Sequence, residues 1–219
     1  MYRMNSFKSF AHIPRRQGKA VDWRMLNRDS EWRVKAASAK RNTAERFIAY
    51  RQTARVPCPI CGEKESQQFI EVYGYGYAQC TRCTHLFMQP PLDVAHLKHL
   101  YQGKADGSSQ ALVYINNEDI FEKRVELIAA PKVAYGNEFI KRKGLWVDIG
   151  CGVGEVLTAA KRMGWNVLGY ESDVAEVDFA RRHGLEIIAG DITADTLSGL
   201  KGAQVVSLIY ILEHIADPV

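Results

Sequence analysis

Downstream of Gly144 short apolar runs alternate with amphipathic stretches. LWVDIG, NVLGYE and LEIIAGD read as strands, and the segments from about Glu155 to Met163 and from about Val174 to His183 read as the helices between them. Val205 to Leu212 is a fourth strand candidate. Strands separated by helices predict a parallel sheet with right-handed crossovers, which places the chain in the α/β class.

The upstream pattern differs. From Asp29 or Ser30, either of which caps a helix start, to about Arg55 there is no Gly or Pro, and Ala, Arg, Lys and Glu dominate, so a long helix is predicted. Its apolar residues, Trp32, Val34, Phe47, Ile48 and Tyr50, form no continuous stripe, and packing is expected only at its two ends. Between Pro57 and Pro91, Tyr, Phe and Gly alternate as short strands and turns. A short helix over Asp93 to Tyr101, a Gly/Ser/Asp linker over Gly103 to Ser109, and a helical region over about Asn117 to Lys143, broken or bent near Pro131 and Gly136, complete the chain. Four regions follow: a basic helical extension over 1–57, a compact β element over 58–91, a helical connector over 92–143, and the beginning of an α/β domain over 144–219.

Composition narrows the classes. A 219-residue chain, 47% hydrophobic and 25% charged, is neither disordered nor fibrous. No apolar run approaches the roughly 18 residues that would span a bilayer, and no secretory signal stands near Met1, so no membrane partner and a cytoplasmic, reducing compartment are expected. The overall charge of +4 divides into +10 over residues 1–57 and −6 over the remainder. A solvated basic helix is the ordinary reading of such an arm, and contact with an anionic partner such as nucleic acid is the alternative.

Cys58 and Cys61 form one CxxC pair, and Cys80 and Cys83 another. Each two-residue spacing aims both thiolates of a turn at one tetrahedral ion, and two such turns close the shell, so the pattern predicts a structural Zn2+ site in a zinc ribbon. Gly62 suits a turn that needs positive φ. Thr84 stands at the equivalent place in the second knuckle, with His85 beyond it as a substitute ligand candidate.

The second constellation is Val147-Asp148-Ile149-Gly150-Cys151-Gly152-Val153-Gly154, a strand entering a glycine-rich turn and then a helix. It lacks the GK[ST] ending of a phosphate-binding loop, and Glu155 replaces the third glycine of a dinucleotide fingerprint, where an acid would face a pyrophosphate. A second predicted strand ends in Glu171 and a third in Gly190-Asp191. Acids at the carboxyl ends of parallel strands lie on the ligand side of the sheet. One can accept both ribose hydroxyls and the next an exocyclic adenine amine, which describes an adenosine without phosphate. Asp148 adds negative charge for the ammonium and sulfonium of a cationic cofactor.

The ordered set VDIGCGVG, GYES, GD and IYILEHIADP resembles the class I S-adenosylmethionine-dependent methyltransferases. With a CPxCG zinc ribbon in front, the chain is similar to the zinc-ribbon group that includes deoxysugar C-methyltransferases. The resemblance covers about Cys58 to Val219. It implies a Rossmann-like doubly wound parallel sheet, here its first four strands, with Asp148, Gly150, Gly152 and Gly154 at the methionine part of S-adenosyl-L-methionine, Glu171 at the ribose and Asp191 at the adenine. It also places Tyr210, Glu213 and His214 beside the transferring methyl group, with His214 either a base or a residue that only shapes the pocket. A small-molecule or sugar-type acceptor is implied, with the ribbon, through Tyr73, Tyr75 or Tyr77, helping to recognise it or merely packing. Two other readings are an RNA methyltransferase using the basic arm and a non-catalytic zinc-ribbon binding module. Such a fold normally has seven strands, so a truncated chain is expected, its remaining strands belonging to a longer protein and VVSLIYIL left as an apolar edge.

Overall fold

The computed structural model describes residues 20–93, 118–190, 193, 196 and 200–215, apart from 27 and 29. All but the first residue of the predicted helix over 93–101, the linker over 103–109 and Asp191 lie outside the described residues.

A 3-10 turn, Trp23–Leu26, precedes helix α1, Ser30–Phe47. Leu26 is buried, and its turn packs on the helix that begins at Glu118. Within α1 only Phe47, its last residue, is buried, while Val34 stands exposed, so the helix itself is buried at its C-terminal end and the preceding Leu26 turn makes the contact before its start. It stops eight residues short of Arg55. Ile48–Tyr50 tightens into a 3-10 turn and Arg51 turns extended, bridging to Leu92, because pairing with the chain that leaves the β element outweighs local helix propensity.

The β element is a three-stranded antiparallel sheet in the order β1-β2-β3, with β1 Ser66–Val72, β2 Tyr75–Cys80 and β3 Leu86–Met88. Its interior is small: Cys58, Cys80 and Phe87, with Val56, Cys61 and Cys83 packed around them. The strap entering it is held by Gln89, whose side-chain oxygen accepts from the Val56 N–H (2.9 Å) and whose amide donates to the Val56 carbonyl (2.7 Å). Tyr75 is buried and donates its hydroxyl to the Ala44 carbonyl at 2.7 Å, which ties the element to the end of α1.

From Glu118 the chain is helical to Asn137, as α2 Glu118–Arg124, a π-helical stretch Val125–Ala129 and α3 Ala130–Asn137. Near Pro131 the helix is not broken but changes pitch, and it ends at Asn137, just after Gly136. Pro131 falls in the first turn of α3, where its missing N–H costs little, and the preceding wide turn absorbs its ring.

The larger sheet comprises β4 Leu145–Ile149, β5 Asn166–Glu171, β6 Ile187–Ala189 and β7 Ala203–Ser207, all parallel, in the order β6-β5-β4-β7. Helix α4, Glu155–Arg162, connects β4 to β5, and α5, Val174–Arg182, connects β5 to β6. One face of the sheet carries the main core, in which Phe121, Val125 and Val133 meet Trp146, Leu157 and Val177. Val147, Ile149 and Tyr170 face the other side. The order runs outward from β4 to β6 and then returns to β7 on the other side of β4, so the strand order reverses beside β4, and it is at the carboxyl ends of strands at such a reversal that crevices open. This is the α/β, Rossmann-like arrangement expected for the first four strands.

β7 ends at Ser207, not at Leu212. Leu208 and Ile209 pack toward opposite cores, the backbone turns at Tyr210 (φ 60°), and Leu212–His214 forms a 3-10 turn. Among the described residues the outer edge of β7 has no strand partner. No described helix is long and apolar enough to cross a membrane.

Candidate active site and metal centre

The four cysteines converge. Their sulfurs lie within 4.8 Å of one another, with Cys58–Cys83 and Cys61–Cys80 each at 3.6 Å and no disulfide. Four Zn–S bonds of about 2.3 Å in a tetrahedron would separate sulfurs by about 3.8 Å, so the donor set and spacing fit Zn2+. Both knuckles close by the same backbone bond, Gly62 N–H to the Cys58 carbonyl (2.9 Å) and Thr84 N–H to the Cys80 carbonyl (3.1 Å). Gly62 has φ 71° and Thr84 φ 62°, so the threonine adopts the backbone that glycine takes without strain. The Cys83 N–H lies 3.5 Å from the Cys80 sulfur and, ahead of the other influences, draws that thiol down to about 7. His85 stacks on Phe87 and is absent from the sulfur cluster.

Of the three tyrosines singled out above, Tyr75 is core, and Tyr73 is exposed with the Arg41 guanidinium 5.8 Å from its ring centre. Tyr77 lines an open hollow of ≈ 170 Å³ with Arg51, Arg55 and Glu71.

The second site begins with Asp148. It occupies the fourth position of β4, between Gly169 on β5 and Ser207 on β7, and its carboxylate accepts a 2.5 Å bond from the Ser207 hydroxyl. Ser207 in turn accepts from the Trp146 indole N–H at 2.8 Å. Asp148 is 3% exposed, and burial raises its carboxyl to about 7 in spite of the Ser207 bond and the nearby Lys132 charge. No described cation bonds it directly.

The glycine turn follows at once. Gly150, Gly152 and Gly154 have φ of 66°, 56° and 84°, a run that side-chain-bearing residues adopt only with strain. Gly150 and Cys151 donate their N–H groups to the Tyr170 carbonyl, which anchors the turn to β5. Gly154 caps α4. Glu171, at the end of β5, reaches across: one carboxylate oxygen accepts from Gly152 N–H (2.9 Å), the other from Ser172 and Asp173 N–H (2.7 and 2.9 Å). The helix cap after β5 is not Glu171 but Asp173, which accepts from Ala175 and Glu176.

Tyr210, Glu213 and His214 lie on the segment after β7, all exposed, Tyr210 at 75%. The Ile211 side chain lies against Gly150, where an added Cβ would meet its Cδ1, so this segment rests on the glycine turn. Asp148, the three glycines, Glu171 and the 210–214 segment thus gather at one end of the sheet.

Residues 120–219 match the family model of a methyltransferase domain. No curated protein matches the chain. Among solved structures, the plantazolicin methyltransferase BpumL in complex with SAH is similar at 17% identity and TM-score 0.40, over 56% of this chain and 48% of that one. The glycopeptide N-methyltransferase MtfA with sinefungin is similar at 14% and 0.31, over 36% of each chain. A SAM dependent methyltransferase from Archaeoglobus fulgidus is similar at 22% and 0.27, over 34% of this chain and 35% of that one. The chain spans between 28% and 50% of the length of the solved structures it resembles.

Within the segment that matches this family model the site holds groups that no motif marked. Arg124 and Glu155 form a two-pronged ion pair at 18% and 15% side-chain exposure, which settles the acid at the third-glycine position by giving it a cation from α2. Ser207 holds Asp148. Lys132 on α3 lies with its ammonium 5.6 Å from the Tyr210 ring centre. Burial is the chief cause that lowers its pKa, opposed by the Glu155 and Asp148 charges. Tertiary packing assembles all three, and no local spacing announces them.

Proposed function

We propose that this chain is the cofactor-binding portion of an S-adenosylmethionine-dependent methyltransferase acting on a small-molecule or sugar-type acceptor, with a structural zinc ribbon in front. The observation that carries the reading is the buried Asp148 carboxylate beneath a left-handed glycine turn, with Glu171 at the same mouth, in a segment that matches a methyltransferase domain. An acidic mouth repels a phosphate and favours a nucleoside that carries positive charge.

In this reading Asp148, Gly150, Gly152 and Gly154 hold the methionine part, Glu171 the ribose and Asp191 the adenine. Bound S-adenosylmethionine supplies an electrophilic methyl group. The protein's share is alignment: the glycine turn admits the ligand close to the backbone, and Glu171 exchanges amide donors for ribose hydroxyls. Tyr210, Glu213 and His214 border the acceptor side, where His214 takes the acceptor proton or shapes the pocket. Cys58, Cys61, Cys80 and Cys83 hold Zn2+, whose closed thiolate shell makes it structural.

The test is calorimetry with S-adenosylmethionine. Saturable binding is expected, weakened at least about tenfold in Glu171→Ala, since a carboxylate bonded to hydroxyls contributes roughly 1.5–3 kcal/mol. Absence of binding by folded, zinc-loaded protein would reject the reading.

A further inference from the structure

The acidic mouth complements only part of such a cofactor. Its sulfonium and ammonium are cations, but its amino-acid end also carries a carboxylate, which Asp148 and Glu171 would repel. A site for the whole molecule needs a cation of its own. Among the described residues around the glycine turn, Arg124 is already engaged by both oxygens of Glu155. Lys132 makes no ion pair within 4.0 Å among the described residues, and its ammonium rests on the face of Tyr210, an exposed ring. An ammonium over an exposed ring is weakly held and readily exchanged for a carboxylate. Lys132 is half-buried on the helix packed beside the turn, and Asp148 lies within its electrostatic reach.

Resting on the cofactor reading above, we infer that Lys132 is the anchor for the cofactor's carboxylate, leaving the ring of Tyr210 to donate its ammonium to the bound amino-acid end. Asp148 and Lys132 then form a pair of opposite charges that reads the zwitterion: the acid takes the ammonium and the lysine the carboxylate. The exchange also frees Tyr210 at the moment of binding, on the segment assigned to the acceptor side.

The experiment compares S-adenosylmethionine with its decarboxylated form, which keeps sulfonium and ammonium but lacks the carboxylate, by calorimetry on the full chain. Wild type is expected to prefer S-adenosylmethionine by at least about tenfold, Lys132→Met to bind the two alike, and Lys132→Arg to retain most of the preference. Circular dichroism of each variant checks the fold, and the wild-type comparison stands without any variant. If both ligands bind wild type equally, or if folded Lys132→Met keeps the preference, the lysine assignment is overturned while the cofactor reading stands. If neither ligand binds wild type, both are overturned.

Discussion

Asp148 ties together the site's chemistry and its stability. A carboxyl raised to about 7 by burial holds its proton more tightly in the folded chain than in the unfolded one, whose carboxyl titrates near 3.9. The folded state therefore binds more protons between about pH 4 and pH 7, and stability falls as pH rises through that window. Asp148→Asn is expected to raise the melting temperature of the ligand-free protein, with no gain near pH 4, a growing gain to pH 7 and a level one above, while S-adenosylmethionine binding is lost. Thermal melts across pH 4–9 check it. Thr84 holds a smaller reserve. A β-branched residue at φ 62° is strained, so Thr84→Gly is expected to stabilise the zinc-loaded protein by about 0.5 kcal/mol after the glycine's added chain entropy, read as a shift in denaturation midpoint. The sequence flagged Thr84 as out of place, and φ supplies the reason.

Between elements, the joint of α2 with the start of α4 is an ion pair largely shielded from water, in contrast to the Arg162–Glu122 pair nearby, whose side chains are about half exposed. Exposed pairs contribute little, whereas removing one partner of a shielded pair leaves a charge without compensation. Glu155→Ala is expected to cost about 3 kcal/mol in chemical denaturation, against less than about 1 kcal/mol for Glu122→Ala. Strands β4 and β5 were legible because apolar runs end at glycine or at a polar turn, and Glu171 stands at the end of β5 as read. β7 was overextended because VVSLIYIL is apolar but for Ser207, and apolar character does not distinguish a strand from a turn that packs Leu208 and Ile209 on opposite sides. Lys132 and Arg124 were illegible because only packing of the 118–137 helix brings them to the turn.

For the molecule as a whole, the β element buries few apolar side chains, Cys58, Tyr75, Ala78, Cys80 and Phe87, too few to order more than thirty residues without further support. Chelation is expected to unfold it selectively: amide exchange over residues 56–92 rises, while protection in β4 and β5 persists because their core contains none of the four cysteines. Helix α1 stands between the two parts, with the Leu26 turn docked on α2 before it and the Ala44 carbonyl docked on Tyr75 near its end. Eighteen helical residues measure about 27 Å and turn 100° each, so the rod is a ruler as well as a tether. One residue added at its bare middle would swing the cysteine module a quarter-turn or more around the rod, whereas four added residues would move it about 6 Å outward and restore nearly the same facing. The length of a surface helix with almost no core of its own thereby sets where the cysteine-bearing end of the protein points.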